Sequence, residues 1–274
     1  MKKIGFIGCG NMGEAMLSGA LNSGFVKSDD VVVHTRSRES LERLNKKYGI
    51  HMAKDNKDVA EKARIIVLAV KPNIYSQVIE EIMDKVNKDS IILAIAPSFS
   101  INVIKSMFNK DIKVVRAMPN TPAMIGCGIT GICFSDNMTA EEKKEILEFF
   151  LSLGETIEVK EELMKAVGSV SGSSPAFIYM LIEAMADAAV LLGMPRKDAY
   201  IFAAKAVEGA ARMVVESGKH PGELKDAVCS PGGTTIEGVV KLEEKGFRSS
   251  IIEAMIKSAE KFHKMEATST SEPK

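Results

Sequence analysis

Short apolar runs alternate with helical patterns through the first half of the chain. Five of these runs are rich in valine and isoleucine and almost continuously apolar, as strands covered on both faces of a parallel sheet should be. The predicted strands are residues 3–7, 31–35, 65–69, 91–95 and 113–116, with candidate edge strands at 129–134 and 156–159. The helices predicted between them are residues 11–23, 38–48, 74–86 and 140–151. This alternation predicts a parallel sheet with helices on both faces.

The pattern changes to helices alone in the second half. Predicted helices there are residues 175–192, 197–217, 221–228, 234–245 and 249–265. We therefore predict an α/β fold in which an N-terminal, Rossmann-type doubly wound sheet is followed by an all-helical dimerisation domain. The expected bounds are 1–162 for the first domain, 163–265 for the second, and 266–274 for a disordered, polar tail.

One predicted helix, residues 177–192, is apolar around most of its circumference. Its only charged residues are Glu183 and Asp187, one turn apart. A surface helix needs only one apolar stripe, so this helix must be covered on most sides. A second domain of about a hundred residues can hardly bury it alone. We therefore expect a homodimer built through this half of the chain.

A Gly-x-Gly-x-x-Gly turn follows the first predicted strand and opens the first predicted helix. Gly8 allows the tight turn, Gly10 lets the backbone approach a pyrophosphate, and Gly13 lets helix and strand pack closely. The helix N-terminus at Asn11 and Met12 offers unpaired N–H groups to the anion. This context predicts a dinucleotide-binding turn.

The end of the second predicted strand should discriminate between the two nicotinamide dinucleotides. NAD enzymes usually place an acid there to bind the ribose hydroxyls, and this strand end has none. Arg36 can pair with a 2′-phosphate, and Thr35 and Ser37 can donate hydrogen bonds to it. We predict a preference for NADP, the alternative being that Arg36 and Arg38 are simply solvated. For Arg38 the solvated reading is favoured.

Two further turns should line the same crevice, because ligands of such sheets sit beyond the carboxyl ends of the strands. Ala69, Val70, Lys71 and Pro72 follow the third predicted strand, and Lys71 could face either ligand or solvent. Asn120 lies in the proline-bounded loop after the fifth strand. It could bind the nicotinamide or stabilise the turn through the backbone, and the sequence leaves both open.

A second glycine-rich segment, residues 230–235 (SPGGTT), precedes a predicted helix in the helical half. Its backbone N–H groups and hydroxyls could form an anion nest for a carboxylate, or simply cap the helix. Residues 171–175 look like another small-residue loop at a helix N-terminus. From these residue types alone, binding and structural roles are both open.

Composition excludes several other classes of protein. Lys plus Arg and Asp plus Glu are both 36 in 274 residues, so there is no basic excess for nucleic acid or a membrane surface. No uninterrupted apolar run approaches 18 residues, so we expect no transmembrane helix. The four cysteines form no CxxC pair and the four histidines are scattered. We therefore expect no metal site and a cytoplasmic protein.

Taken in order, these motifs resemble pyrroline-5-carboxylate reductase over residues 3–263. The matching segments are 5–13 (GFIGCGNMG), 69–72 (AVKP), 118–122 (MPNTP), 171–176 (SGSSPA) and 230–235 (SPGGTT). The resemblance implies reduction of 1-pyrroline-5-carboxylate to L-proline by NAD(P)H, the last step of proline biosynthesis, with NADPH preferred. It also implies an interlocked helical dimer and often a ring of dimers. The turn at residues 97–99 departs from the family's usual Ala-Gly-Val-like sequence.

The resemblance also assigns roles to single residues. Ser230, Gly233, Thr234 and Thr235 match the loop that holds the substrate, and Thr235 is the predicted catalytic residue. Thr35, Arg36 and Ser37 match the 2′-phosphate contacts, and Asn56 matches a contact on the adenosine side of the cofactor.

Three other readings compete with this one. A β-hydroxyacid dehydrogenase would carry a catalytic lysine on the long helix, and residues 177–192 contain none. A reductase of another cyclic imine would have the same motifs. A non-catalytic NADP sensor would keep the nucleotide turn but would not need the segment at residues 230–235.

Overall fold

A single eight-stranded sheet forms the centre of the first half of the chain. The computed structural model describes the backbone of residues 2–270 and the side chains of residues 3–266. The strand order is β3-β2-β1-β4-β5-β6-β7-β8, and every neighbouring pair is parallel except β6 and β7. The strands are β1 (Lys2–Ile7), β2 (Val31–His34), β3 (His51–Met52), β4 (Ala63–Leu68), β5 (Ile91–Ala94), β6 (Lys113–Met118), β7 (Gly128–Phe134) and β8 (Gly154–Glu158).

Helices connect the strands and make up the second half. They are α1 (Asn11–Asn22), α2 (Arg38–Tyr48), α3 (Asn56–Lys62), α4 (Tyr75–Ile82), α5 (Ile101–Phe108), α6 (Ala140–Leu151), α7 (Met164–Val167), α8 (Ser174–Leu191), α9 (Arg196–Ser217), α10 (Pro221–Val228), α11 (Thr234–Glu244) and α12 (Phe247–Thr270). The predicted α/β fold followed by helices is confirmed.

The sheet is buried on both faces, as its near-continuous apolar strands predict. Ile65 and Val67 of β4 point into one apolar cluster, while Ile66 and Leu68 point into another on the opposite face. Successive side chains of a strand alternate between the two faces, so one strand serves both clusters. Tight packing on both faces holds the carboxyl ends of β1, β2, β4 and β5 in a fixed relation along one edge.

Four elements were not predicted from the sequence. They are β3, which has only two residues, the short helices α3 and α7, and the helix α5. Asp55 and Ser100 explain where α3 and α5 begin, because each side chain accepts a hydrogen bond from a backbone N–H in the first turn of its helix.

The described contacts divide the chain into a first unit, Met1–Gly172 with Ser258–Lys274, and a second unit, Ser173–Lys257. Residues 266–270, predicted to be disordered, continue helix α12, and Glu266 pairs with Arg116 at 2.5 Å between Oε1 and Nη2. Residues 271–274 of the predicted tail lie outside the described residues.

A helix replaces the small-residue loop predicted at residues 171–175. Gly168–Ser173 form a π-helical segment that joins α7 to α8 without a break, so α8 has no free N-terminus. Ser171 donates its hydroxyl to the carbonyl of Val167, one turn back. The glycine and serine content suggested a loop, but the chain continues as a helix through this π-helical segment, a rare feature that is found frequently at functional sites.

The second unit has a small core and a large apolar surface. Helices α8 and α9 pack against each other around Ala186, Ala199 and Ala203, which are its buried hydrophobic residues within the described side chains. Met180 is 67% exposed and Phe202 is 65% exposed. An apolar surface of this kind marks an interaction site.

One part of this helical surface also meets a criterion for membrane spans. Glu161–Leu191 contains a window with mean hydropathy 1.4, of which 6% is buried, and is long and apolar enough to cross a membrane by length and composition. The search for uninterrupted runs missed it because an average tolerates isolated charges such as Glu183.

An ion-pair cluster fixes the start of α1 against α2 in the first unit. Glu14, in the first turn of α1, accepts hydrogen bonds from Arg43 at 2.6 Å and Lys47 at 3.0 Å. Tyr48 donates its hydroxyl to the same carboxylate at 3.1 Å. The hydrogen bond from Arg43 is the main reason that the pKa of Glu14 falls to about 2, and burial opposes the shift. This carboxylate therefore stabilises the fold in its ionised form.

We expect Glu14→Gln to lower the free energy of unfolding by about 2 kcal/mol near neutral pH. The folded-state pKa is depressed, so the stabilisation is present above the ordinary value of 4.5 and disappears as the pH falls towards about 2. Urea denaturation of both proteins at about pH 7 and about pH 3 measures the difference. Glu39→Gln, at an exposed position in the first turn of α2, is the control and should change stability little. An equal loss for Glu14→Gln at both pH values would contradict the ionic explanation.

Candidate functional site

The glycine-rich turn lies at the carboxyl end of β1. Gly8 has φ +78°, and its N–H donates to the carbonyl of His34 at 2.9 Å. A Cβ at this position would lie 2.6 Å from Cγ1 of Val70 and 2.8 Å from the carbonyl oxygen of Ala69. Both the backbone angle and the lack of space therefore require glycine here. Ala69 and Val70, predicted to line the crevice, lie directly against the turn.

The space above the turn is open where a phosphate would approach. Gly10 precedes the first residue of α1, and a Cβ added to it would meet nothing within 4 Å. No side chain caps this helix, so its first N–H groups, at Asn11 and Met12, remain available to an anion. Gly13 packs under the turn, where a Cβ would lie 3.0 Å from Cβ of Ala69. The turn thus fits a pyrophosphate group without rearrangement.

The end of β2 is shaped by its own hydroxyl groups. Thr35 donates from Oγ1 to the carbonyl of Ser37 at 2.8 Å, and Ser37 caps α2 by accepting from the N–H of Ser40 at 3.3 Å. Arg36 is exposed and forms no ion pair within the described side chains. Arg38, predicted to be solvated, is 90% exposed and pairs with Glu42 at 2.8 Å. The two hydroxyls therefore position the turn, and Arg36 keeps its charge for another partner.

A cavity of about 450 Å³ opens beside this turn. Basic side chains dominate its polar lining, with Glu42 the one carboxylate among them. Its walls are His34, Thr35, Arg36, Arg38, Leu41, Glu42, Met52, Ala53 and Lys54. Apolar walls beside several cations suit an adenosine group that carries a phosphate.

Asn56 reaches this region from the start of α3. Its Oδ1 lies 2.7 Å from Nδ1 of His34, and its Nδ2 donates to Oε2 of Glu81 at 2.8 Å. The predicted adenosine contact is thus next to the end of β2, although Asn56 is not among the residues that line the cavity. No local pattern predicted the link to Glu81, which is 25 residues away.

A buried tyrosine joins the carboxyl ends of β4 and β5. Tyr75 is fully buried, and its hydroxyl donates to the carbonyl of Leu68 at 2.5 Å. The same oxygen accepts from the N–H groups of Ile95 at 3.2 Å and Ala96 at 3.1 Å. Burial raises the pKa of Tyr75 far above its ordinary value, so the phenol stays protonated. The sequence analysis missed this residue, although it opens a helix just after Pro72.

We expect Tyr75→Phe to lower the free energy of unfolding by about 2–3 kcal/mol, because the carbonyl of Leu68 and the N–H groups of Ile95 and Ala96 lose this partner. Thermal or urea denaturation measures this loss. Tyr48→Phe is the matched control, since it removes one hydrogen bond from a carboxylate that keeps Arg43 and Lys47. Equal losses for the two variants would contradict the role given to the buried hydroxyl.

The two remaining predicted cofactor contacts differ in their surroundings. Lys71 is exposed at the turn after β4, where Pro72 begins a short 3-10 turn. The Asn120 side chain is buried, donates to the carbonyl of Ser171 at 3.1 Å and accepts from the N–H of Ile129 at 3.0 Å. The backbone-stabilising alternative therefore describes Asn120 in this structure, and a nicotinamide contact stays a prediction.

Arg116 forms a buried ionic cluster that the sequence analysis did not identify. Only 2% of this residue is exposed, and it donates to Glu161 at 3.1 Å, to Glu266 at 2.5 Å and to the carbonyl of Pro97 at 2.7 Å. Burial raises the pKa of Glu266, but hydrogen bonds from Arg116 and Lys165 outweigh it and hold the pKa below its ordinary value. The cluster fixes the turn after β5 and the end of α12 within the first unit.

The second glycine-rich segment connects α10 to α11 within the second unit. Gly232 has φ +66°, and Gly233 donates its N–H to the carbonyl of Ser230 at 3.0 Å. A Cβ on Gly233 would lie 2.4 Å from Oγ of Ser230, so the hydroxyl closes over the glycine. Thr234 and Thr235 are exposed, and α11 begins at Thr234 without a side-chain cap. Its free first-turn N–H groups and nearby hydroxyls suit a carboxylate.

Two of the cysteines, Cys9 and Cys133, are buried. Burial raises the pKa of Cys9, inside the glycine turn, to about 12, and the pKa of Cys133 also to about 12. Both thiols therefore stay protonated at neutral pH and are poor nucleophiles. Among residues 3–266, whose side chains the structure describes, no group of three or more His, Cys, Asp or Glu side chains could hold a metal ion.

Comparisons with known proteins agree with both halves of this description. A family model for pyrroline-5-carboxylate reductase dimerisation matches residues 161–265, and one for NADP oxidoreductase, coenzyme F420-dependent, matches residues 3–113. The pyrroline-5-carboxylate reductase of Escherichia coli strain K12 is 50% identical over 264 residues, covering 96% of this chain and 98% of that protein. The chain belongs to the pyrroline-5-carboxylate reductase family.

Other members of the pyrroline-5-carboxylate reductase family match over similar lengths. The Methanosarcina acetivorans protein is 41% identical and covers 95% of this chain and 96% of that protein. A solved structure of the Plasmodium falciparum pyrroline carboxylate reductase, with NADP bound, has a TM-score of 0.89 and 30% identity, covering 97% of this chain and 98% of that chain. These matches confirm the family resemblance found in the motifs.

Proposed function

We infer that this chain reduces 1-pyrroline-5-carboxylate to L-proline with NADPH, in the last step of proline biosynthesis. The observation that carries the inference is the 50% identity to a pyrroline-5-carboxylate reductase over 96% of the chain. The dinucleotide turn and the SPGGTT segment add geometry that fits the cofactor and a carboxylate substrate. The protein is thus an NAD(P)H-dependent oxidoreductase.

NADPH supplies the hydride in this reaction. The turn from Gly8 to Gly13 would hold the pyrophosphate against the start of α1, where the unpaired N–H groups point. Arg36 would pair with the 2′-phosphate, because its guanidinium is exposed and has no ionic partner within the described side chains. Thr35 and Ser37 would act mainly by fixing the turn that carries Arg36.

The substrate is a cyclic imine that carries a carboxylate. We assign the carboxylate to the segment formed by Ser230, Gly233 and Thr234, where first-turn N–H groups of α11 and the Ser230 hydroxyl are available. A helix N-terminus favours an anion through its unpaired donors and its dipole. The ring would thereby be fixed at one end, which reduces the entropy cost of reaching the reactive arrangement.

Thr235 is the proposed catalytic residue. The imine carbon of the N-protonated substrate accepts the hydride, the electron pair of the C=N bond moves to nitrogen, and the nitrogen ends as a neutral secondary amine that keeps its proton. A second proton, taken from water, then gives the ammonium form of the product. The hydride step therefore needs one proton on the imine nitrogen and no nucleophile. The Thr235 hydroxyl would hold that nitrogen by a hydrogen bond and keep the proton in place while hydride arrives.

The helical half supports assembly into a homodimer, because the dimerisation model covers residues 161–265 and its helices expose large apolar side chains. A ring of such dimers, a cytoplasmic location and the absence of membrane insertion are further parts of the proposal. For the domains we propose 1–162 and 163–265, since the dimerisation model begins at residue 161. The partners are then a second copy of the chain and a small cyclic imine, and neither nucleic acid nor a membrane is required.

A spectrophotometric assay tests the proposal. Purified protein is mixed with 1-pyrroline-5-carboxylate and either NADPH or NADH, and loss of the reduced-nicotinamide absorbance is followed. We expect rapid loss with proline as product, and faster loss with NADPH at low cofactor concentration. If NADPH binds but this imine is not reduced, and a larger cyclic imine is reduced instead, the larger imine is the substrate. Binding without turnover on any imine would leave only a nucleotide sensor.

A further inference from the structure

Three side chains form a hydrogen-bonded chain that ends at the last residue of β2. Asn56 donates from Nδ2 to Oε2 of Glu81 at 2.8 Å, and its Oδ1 faces Nδ1 of His34 at 2.7 Å. An ionised carboxylate can only accept, so Glu81 fixes which end of the amide faces the histidine. The amide oxygen can only accept as well, so Nδ1 of His34 must carry a proton. Glu81 thus determines the tautomer of His34 through Asn56.

This tautomer leaves Nε2 as the variable nitrogen of the ring. His34 lines the cavity beside the turn after β2, and its Nε2 has no hydrogen-bond partner among the described side chains. In its neutral form Nε2 is an acceptor, and in its protonated form it is a charged donor. His34 therefore presents one of two opposite hydrogen-bonding characters, according to its protonation.

The position of His34 determines which part of a bound dinucleotide its side chain would contact. It is the last residue of β2, where NAD enzymes place the acid that accepts hydrogen bonds from the ribose hydroxyls. A neutral imidazole can replace that acid as an acceptor, whereas an imidazolium pairs with a phosphate. The other charged groups around it are Arg36 after β2, Arg38 and Glu42 on α2, Lys54 after β3, Asp55 at the start of α3, and Glu81 on α4.

We propose that His34 makes the choice between NADPH and NADH depend on pH. With Nε2 neutral, the residue accepts a hydrogen bond from the 2′-hydroxyl of NADH. With Nε2 protonated, it donates to the 2′-phosphate of NADPH and adds one positive charge beside Arg36. The inference rests on the proposed use of these cofactors, and it assigns to His34 a specificity role beyond the basic residues that follow it.

The first test compares the ratio of kcat/KM for NADPH to that for NADH in the unmodified protein and in His34→Gln. Protonation of the imine changes both kcat/KM values by the same factor, so it does not affect their ratio. Titration of the 2′-phosphate itself remains in the variant and serves as the baseline. Relative to that baseline, we expect the ratio of the unmodified protein to rise about fivefold from about pH 8.5 to about pH 5.5. Parallel pH profiles for the two proteins would overturn the proposal.

The second test addresses the hydrogen-bonded chain and leaves His34 in place. Glu81→Gln removes the carboxylate that fixes the Asn56 amide, so Nδ1 of His34 no longer has to carry the proton. We expect the pH dependence of the cofactor ratio to shrink. Glu80→Gln, the neighbouring exposed residue on α4, is the matched control and should leave the dependence intact. Equal behaviour of the two variants would overturn the role of the chain.

A binding measurement separates this inference from the reaction. Calorimetry gives the dissociation constants of adenosine 2′,5′-bisphosphate and adenosine 5′-monophosphate for the full-length protein at both pH values. We expect their ratio to change with pH more in the unmodified protein than in His34→Gln. Nitrogen NMR of the labelled imidazole should show Nδ1 protonated in the unmodified protein. If the fragments respond as expected but the imine is not reduced, the proposed reaction fails and the role of His34 stands. A proton on Nε2 alone at neutral pH would overturn the inference.

Discussion

Thr235→Ala is expected to lower kcat by about a hundredfold while leaving the affinity for NADPH nearly unchanged. The hydroxyl is exposed in the first turn of α11 and has no capping role there. Its loss should therefore cost little stability. Holding a proton on the reacting group contributes about 10²–10⁴-fold in enzymes, and a positioned hydroxyl falls at the lower end of that range. Steady-state kinetics with saturating imine and NADPH measure the change.

Thr235→Ser is the matched control, because it keeps the hydroxyl and removes only a methyl group. We expect it to retain at least about a third of kcat if the hydroxyl is what matters. Thermal denaturation and NADPH binding should be the same for both variants and the unmodified protein. If alanine and serine variants have equal kcat values, the hydroxyl takes no part in the reaction. If only the KM for the imine changes, Thr235 binds substrate but does not assist the chemistry.

Met180→Glu on helix α8 is expected to dissociate the homodimer and remove most of the activity. Met180 is 67% exposed within one chain and lies in the segment that matches the dimerisation family. A carboxylate buried at an interface without a partner costs about 3–5 kcal/mol, which raises a dissociation constant by more than about a hundredfold. Analytical ultracentrifugation across a range of concentrations measures this change.

Activity should fall together with dimer content for a reason internal to the second unit. Its buried hydrophobic residues within the described side chains are three alanines, so its stability depends on covering the apolar surface of α8 and α9. The segment with Ser230 and Thr235 belongs to that unit and would lose its geometry. Leu151→Glu, at a 56% exposed apolar position on α6 outside residues 161–265, is the control. A fully active monomer of Met180→Glu would contradict the dependence of the site on assembly.

Most of the sheet and its helices could be predicted because the spacing of apolar residues repeats within each element. Predicted strands and helices match the observed elements within a few residues wherever an apolar period extends over at least one full element. The two-residue strand β3 is too short to show any period. The segment at residues 171–175 misled the prediction because glycine, serine and proline favour loops, whereas their N-terminal neighbours were already helical. Local composition could not reveal that the helix continued.

Residues of the candidate site were predictable where the backbone geometry requires glycine or where binding of an anion requires a particular residue type. Gly8 has a positive φ and a close backbone contact that together exclude a side chain, so its identity reflects geometry directly. Contacts between distant positions were not predictable, because no local pattern links Tyr75 to Ala96 or Arg116 to Glu266. Asn120 shows a further limit, since one amide suits a ligand or a backbone equally well until its neighbours are known.

The two edges of the sheet are protected against pairing with other chains. A parallel sheet of this length brings together segments distant in sequence, which slows folding and leaves strand edges exposed for longer. At one edge β3 offers only two residues, and at the other β8 carries exposed Glu155 and Glu158. Short or charged edge strands discourage edge-to-edge association. Pairing between sheet edges of different copies is therefore disfavoured during synthesis, and the apolar helices of the second unit are left as the surface through which copies associate.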